Sequence, residues 1–104
     1  MVKLVVIESP LSGDQERNTA YAREALLDSL RRDEAPLASH LLYTQVLDDE
    51  VAADRELGMS AGFAWSRHAE LVVVYEDLGV SRGMRAGISI AETHGIPVEY
   101  RSIR

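Results

Sequence analysis

The chain has 104 residues, 46% hydrophobic and 27% charged, with 7 Gly, 3 Pro and no cysteine. That length holds one core, so a single domain over residues 1–104 is expected, and the composition excludes disorder, collagen and low complexity. The missing cysteine removes disulfides, thiolate catalysis and Cys-ligated zinc or iron–sulfur centres, and a net charge of −6 argues against a wide cationic nucleic-acid footprint.

Leu4-Val5-Val6-Ile7 is a continuous apolar run rich in β-branched residues, the pattern of a strand covered on both faces. Lys3 precedes it and Glu8 follows, leaving neither an adequate signal-peptide core nor a small-residue cleavage site, so a soluble cytoplasmic protein is expected. Ser9-Pro10-Leu11-Ser12-Gly13-Asp14 breaks the strand with turn chemistry. A first helix is predicted over about 16–32, with Ala22, Ala25, Leu26, Ser29 and Leu30 inward and its start capped by Asp14, or by Ser12 with Gln15 three places on. Asp33-Glu34-Ala35-Pro36 stops that helix, and a short strand is predicted over Leu37–Tyr43.

After a polar loop, a second helix is predicted over about 51–68, with Leu57, Ala61, Ala64, Trp65 and His68 as its buried stripe. Leu71–Tyr75 is the clearest strand, and it falls far short of the roughly 20 apolar residues that span a bilayer. A third helix follows over about 82–94, with Met84, Ile88 and Ala91 inward and Gly95 just past its end. Ile96–Tyr100 closes the chain as a short strand, and Pro97 points to a sheet edge. Strands separated by helices imply right-handed crossovers and a parallel sheet. The expected fold is α/β: a three-layer Rossmann-like (flavodoxin-like) sandwich of a four-stranded parallel sheet, ordered 2-1-3-4, and three helices.

In such sheets ligands bind outside the carboxyl ends of the strands. That rule gathers Glu8, Ser9, Ser12, Gly13 and Asp14 after the first strand, Ser39, His40, Tyr43 and Gln45 at the second, and Glu76, Asp77, Gly79, Ser81 and Gly83 after the third. Ser12-Gly13-Asp14 and Gly79-Val80-Ser81-Arg82-Gly83 both precede helices, where free N–H groups attract anions and glycine permits close backbone approach. Neither is a Walker loop or a G-x-G-x-x-G fingerprint, and each reads equally as a turn with a cap. Glu8, directly after an apolar strand, is a candidate acid–base group if desolvation raises its pKa, or a strand-end glutamate paired with an arginine. Asp77 is a candidate for sugar hydroxyls or a helix cap. The acidic run Asp48, Asp49, Glu50, Asp54, Glu56 lacks the spacing of a calcium loop, so no metal and no cofactor are expected.

Together these residues resemble the nucleoside 2-deoxyribosyltransferase-like superfamily. Ile7-Glu8-Ser9-Pro10-Leu11-Ser12-Gly13-Asp14 with Asn18 is similar to its opening motif. His40 to Gln45, Leu47-Asp48-Asp49 and Arg55 to Gly58 resemble the middle of an uncharacterised phage and bacterial branch. Asp77 to Ile88, then Ala91 and Gly95 to Val98, is similar to its closing motif. The resemblance implies chemistry at an N-glycosidic bond through a glutamate nucleophile at the start of the last helix, with a 5′-phosphate held where Ser12, Ser81 and Gly83 stand. It also implies a homodimer or higher homo-oligomer.

This chain departs from that pattern. Ala86 and Gly87 occupy the positions of the glutamate, Val6 that of an early tyrosine, and Glu8 that of an alanine. The reading is therefore a nucleoside- or nucleotide-binding crevice without the standard glycosyl transfer, with Glu8 and Asp77 as candidate catalytic groups. Ser9, Ser12, Gly13, Asp14, His40, Tyr43, Gly79, Ser81, Arg82 and Gly83 are its candidate ligand contacts. The alternatives are an N-glycosidase or deoxyribosyltransferase using Glu8, and an interaction module acting through a homodimer face with Met59, Phe63 and Trp65. No extended nucleic-acid surface and no membrane partner are expected.

Overall fold

The structure, a computed structural model, describes residues 2–104. Four strands, β1 (Lys3–Glu8), β2 (Glu34–Leu37), β3 (Leu71–Tyr75) and β4 (Val98–Arg101), form one parallel sheet in the order β2-β1-β3-β4. The helices are α1 (Gln15–Arg31), α2 (Ser39–Leu42), α3 (Ala52–Ser66) and α4 (Arg82–Thr93), with a 3₁₀ turn at Tyr43–Gln45.

Side chains alternate across a strand, and this alternation builds the layers. Val5, Ile7, Leu71, Val73 and Tyr75 pack with Tyr21 and Ala25 of α1. Val6 and Val72 pack with Ala91 of α4, and Val74 with Met84 and Ile88. Helices thus cover both faces of a Rossmann-like sheet, and the central strand β3 is buried throughout. Asp14 caps α1 by accepting from Arg17 N at 3.1 Å.

Two strand expectations are corrected. The second strand lies at Glu34–Leu37, and most of the stretch expected to be strand is the short helix α2 and the 3₁₀ turn. Asp33, at φ 64°, reverses the chain straight after α1, so the strand starts earlier. Pro36 is tolerated because β2 is an edge strand, with one side that needs no donor. The last strand begins at Val98 rather than Ile96.

The face of α3 also differs. Leu57 and Trp65, expected inside, are 62% and 52% exposed. The buried residues of α3 are Gly62 and Ser66. A Cβ at Gly62 would meet Ser39 Oγ at 2.7 Å, so the missing side chain lets α2 sit directly on α3.

One polar cluster ties the elements together. Arg101 of β4 donates to both carboxylate oxygens of Glu34, at 2.8 and 2.7 Å, to Glu99 at 2.5 Å and to the Tyr75 hydroxyl at 3.1 Å. Ser29 of α1 donates to Glu34 at 2.7 Å, and Tyr75 donates to Asp28 at 2.8 Å. Hydrogen bonds from Arg101 hold the Glu34 carboxyl below the usual carboxylate range, so their stabilisation is present at neutral pH and is lost as pH falls through that lowered value. Removing one partner of a buried pair leaves the other charge stranded. Arg101→Met is therefore expected to cost about 3–5 kcal/mol in urea unfolding, with part regained when Glu34→Leu is added. A loss of less than about 1 kcal/mol in the single variant would contradict this role.

Candidate functional site

A cavity of about 250 Å³ opens beyond the carboxyl ends of β1, β2 and β3. Glu8, Ser9 and Ser12 reach it from β1 and its loop, Ser39, His40 and Tyr43 from the α2 region, and Ser81, Arg82 and Gly83 from the start of α4. Three separate stretches of chain therefore converge at one rim, where a parallel α/β sheet offers a crevice.

Glu8 sits on the α4 side of β1, in alternation with Ile7. Facing it is Gly87 of α4, where a Cβ would stand 2.6 Å from Cδ of Glu8. The carboxyl occupies the space that a side chain at position 87 would fill. Among the described residues it has neither an ion-pair nor a hydrogen-bond partner, and desolvation alone pushes its pKa up to about 8. No enclosed side-chain polar atom of the described residues lacks a partner. The carboxyl of Glu8 is thus open to the cavity rather than sealed behind it.

Beside it, Ser9 Oγ and His40 Nε2 share a hydrogen bond of 2.6 Å. Desolvation lowers the His40 pKa to about 4, so the ring is neutral at pH 7. At the opposite rim, Ser81 caps α4 by accepting from Met84 N at 3.3 Å. Arg82, in the first turn, makes no ion pair among the described residues. The free N–H groups of this first turn and the guanidinium form one electropositive corner.

Not every candidate reaches the cavity. Asp77 is absent from the lining. Its carboxylate accepts from the Tyr21 hydroxyl at 2.5 Å and from the backbone N–H groups of Ile103 and Arg104, and these bonds, the Tyr21 one foremost, lower its pKa. It fastens the C-terminal residues rather than facing a ligand or capping α4. Asp14 is occupied as the α1 cap, and Gly13 and Gly79 serve turns at φ 102° and 88°. The sequence reading missed the wall contributed by α3, where Arg55, Met59 and Phe63 line the cavity. The available signal was Gly58 and Gly62 four apart, with Met59 and Phe63 one step on, placing a small-residue seam beside an apolar wall.

A family model matches residues 3–101, nearly the whole chain. The chain belongs to that family, described as a domain of unknown function (DUF7768). Among solved structures, this DUF7768 chain is similar to the 2-deoxyribosyltransferase from the psychrotolerant bacterium Bacillus psychrosaccharolyticus. The TM-score is 0.67 at 14% identity, over 94% of this chain and 71% of that one. At that identity the likeness shows a shared fold, that of nucleoside deoxyribosyltransferases. No curated protein matches the chain. No described helix is long and apolar enough to cross a membrane.

The raised pKa of Glu8 has a thermodynamic consequence. Between the ordinary value of 4.5 and about 8, the unfolded chain ionises Glu8 while the folded domain keeps it protonated. The folded state then binds the extra proton, so this group makes stability fall as pH rises, by about 1.4 kcal/mol per unit across that window. Urea unfolding of wild type and Glu8→Gln from pH 5 to 9 checks it. The stability of the variant relative to wild type should climb up to about pH 8 and then level, and a flat difference would contradict the assignment.

Proposed function

We propose that this DUF7768 domain binds a nucleoside- or nucleotide-type ligand in the cavity at the strand ends. The observation that carries the reading is the convergence, on one apolar-walled hollow, of a carboxyl and an Arg82 that have no ion-pair partner among the described residues with a neutral Ser9–His40 pair and a helix start. Ligand sites combine mostly apolar walls with a few placed polar groups, in volumes of roughly 300–1,000 Å³, and this cavity, at about 250 Å³, falls just below that range. A heterocyclic base suits the side bounded by Phe63, Met59 and Met84. A phosphate or sugar hydroxyl suits Ser81, Arg82 and Gly83. The shared fold with a deoxyribosyltransferase supports the ligand class. Ala86 and Gly87, where the resemblance puts the nucleophilic glutamate, carry no carboxylate, which supports binding without the standard transfer.

A second reading, cleavage of an N-glycosidic bond, is favoured by one observation: a carboxyl that keeps its proton near neutral pH can deliver it to a departing base. Free-base release from deoxynucleosides, abolished in Glu8→Gln, would establish it. A cytoplasmic homo-oligomer is part of the same proposal, and the exposed α3 residues Leu57 and Trp65 offer a face for self-association.

Isothermal titration against nucleosides and their 5′-monophosphates tests the first reading. Binding is expected, and Arg82→Ala should weaken the monophosphates by about tenfold, one charge-assisted contact of roughly 1.5 kcal/mol, while sparing the nucleosides. Silence across the whole series at millimolar ligand would overturn it.

A further inference from the structure

Within the proposed nucleoside site, the surroundings of Glu8 specify what kind of ligand edge it meets. An arginine or lysine close by would hold the carboxyl ionised and make it an acceptor alone. Among the described residues none does so: Arg101 is bonded to Glu34 and Glu99, Arg55 turns to the Asp49 carbonyl at 3.0 Å, and desolvation is the one cause acting on Glu8. The other titratable groups lining the cavity are His40, whose Nε2 is engaged by Ser9, Tyr43, whose hydroxyl accepts from Trp65 at 2.8 Å, Asp49, which accepts from Ser12, and Asp54, which accepts from Asp48 N. Gly87 supplies clearance and no charge. The carboxyl therefore lies against Gly87 of α4 and lines the cavity.

We propose that Glu8 is the specificity-determining residue of this site and that it reads the ligand as a carboxylic acid. One oxygen donates O–H and the other accepts, so the matching ligand edge carries an acceptor next to a donor, as an amidine- or amide-like heterocycle edge does. An edge bearing only acceptors, such as a carboxylate, leaves one group unpaired and is rejected, because an unpaired buried polar group costs more than a bond gains. This deepens the nucleoside reading and rests on it. It differs from an ionised nucleophile, which would need the proton removed.

The two forms of Glu8 separate in a titration of affinity against pH. Adenosine and cytidine are the probes, since their rings offer an acceptor beside an amino donor and have no proton to lose in the alkaline range. Calorimetry at pH 6.5, 7.5, 8.5 and 9.5 should show constant affinity below about 8, where the acid form prevails, and a fall of up to about tenfold per unit above it. In Glu8→Gln the amide presents a donor beside an acceptor at every pH, so binding should persist and the alkaline loss disappear. Glu8→Leu should bind neither probe at any pH, with circular dichroism confirming that both variants fold. Wild-type affinity that is flat or rises above pH 8, or Glu8→Gln that fails to bind while folded, overturns the role of Glu8 and leaves the nucleoside reading standing. Absence of binding by every nucleoside and nucleotide in wild type overturns both.

Discussion

One desolvated acid, without a counter-charge among the described residues, marks the cavity at the strand ends. A carboxyl at the last residue of β1 enters a hollow that exists because position 87 of α4 has no side chain. Desolvation penalises its charged form, and nothing nearby repays that penalty. The group is left with its proton and, among the described residues, with no hydrogen-bond partner. Such an arrangement lowers stability at neutral pH, and perturbed groups of this kind cluster at functional sites.

Arg101, Glu34, Tyr75, Ser29 and Asp28 form a closed network in which each buried polar group meets another. Asp77 is tied to Tyr21 and to the backbone of the C-terminal residues, and Arg104 bonds Glu24 while lying over the Tyr21 ring. These clusters settle their charges internally and act as fasteners. At the cavity Ser9 and His40 also pair, whereas Glu8 and Arg82 have no ion-pair partner among the described residues. The α3 helix contributes differently: packed through Gly62 and Ser66, it carries its larger side chains toward the cavity or toward solvent.

Much of this was legible in the sequence, for identifiable reasons. β1 and β3 are short β-branched runs bounded by turn residues, and the strand–helix alternation they set up implies a parallel sheet with a crevice at its carboxyl edge. Ser12, His40 and Ser81 were placed at one rim by that topology alone. β2 was misplaced because a four-residue edge strand containing proline has no periodic signature. The face of α3 was misread because large apolar residues usually point inward, and here close packing through glycine overrides that tendency. Asp77 looked like a ligand contact because its chief partner, Tyr21, lies 56 positions away on another element. The Glu8–Gly87 pairing was invisible for the same reason, since a glycine in a helix does not announce which distant side chain fills its space.

The central claim is that Glu8 stands in the free domain as a neutral carboxylic acid at physiological pH. Carbon-13 NMR of the Glu8 side-chain carboxyl, assigned by its disappearance in Glu8→Gln and followed from pH 3 to 10, reads that state directly. The account predicts a titration midpoint near 8, and a midpoint near the ordinary 4.5 would contradict it.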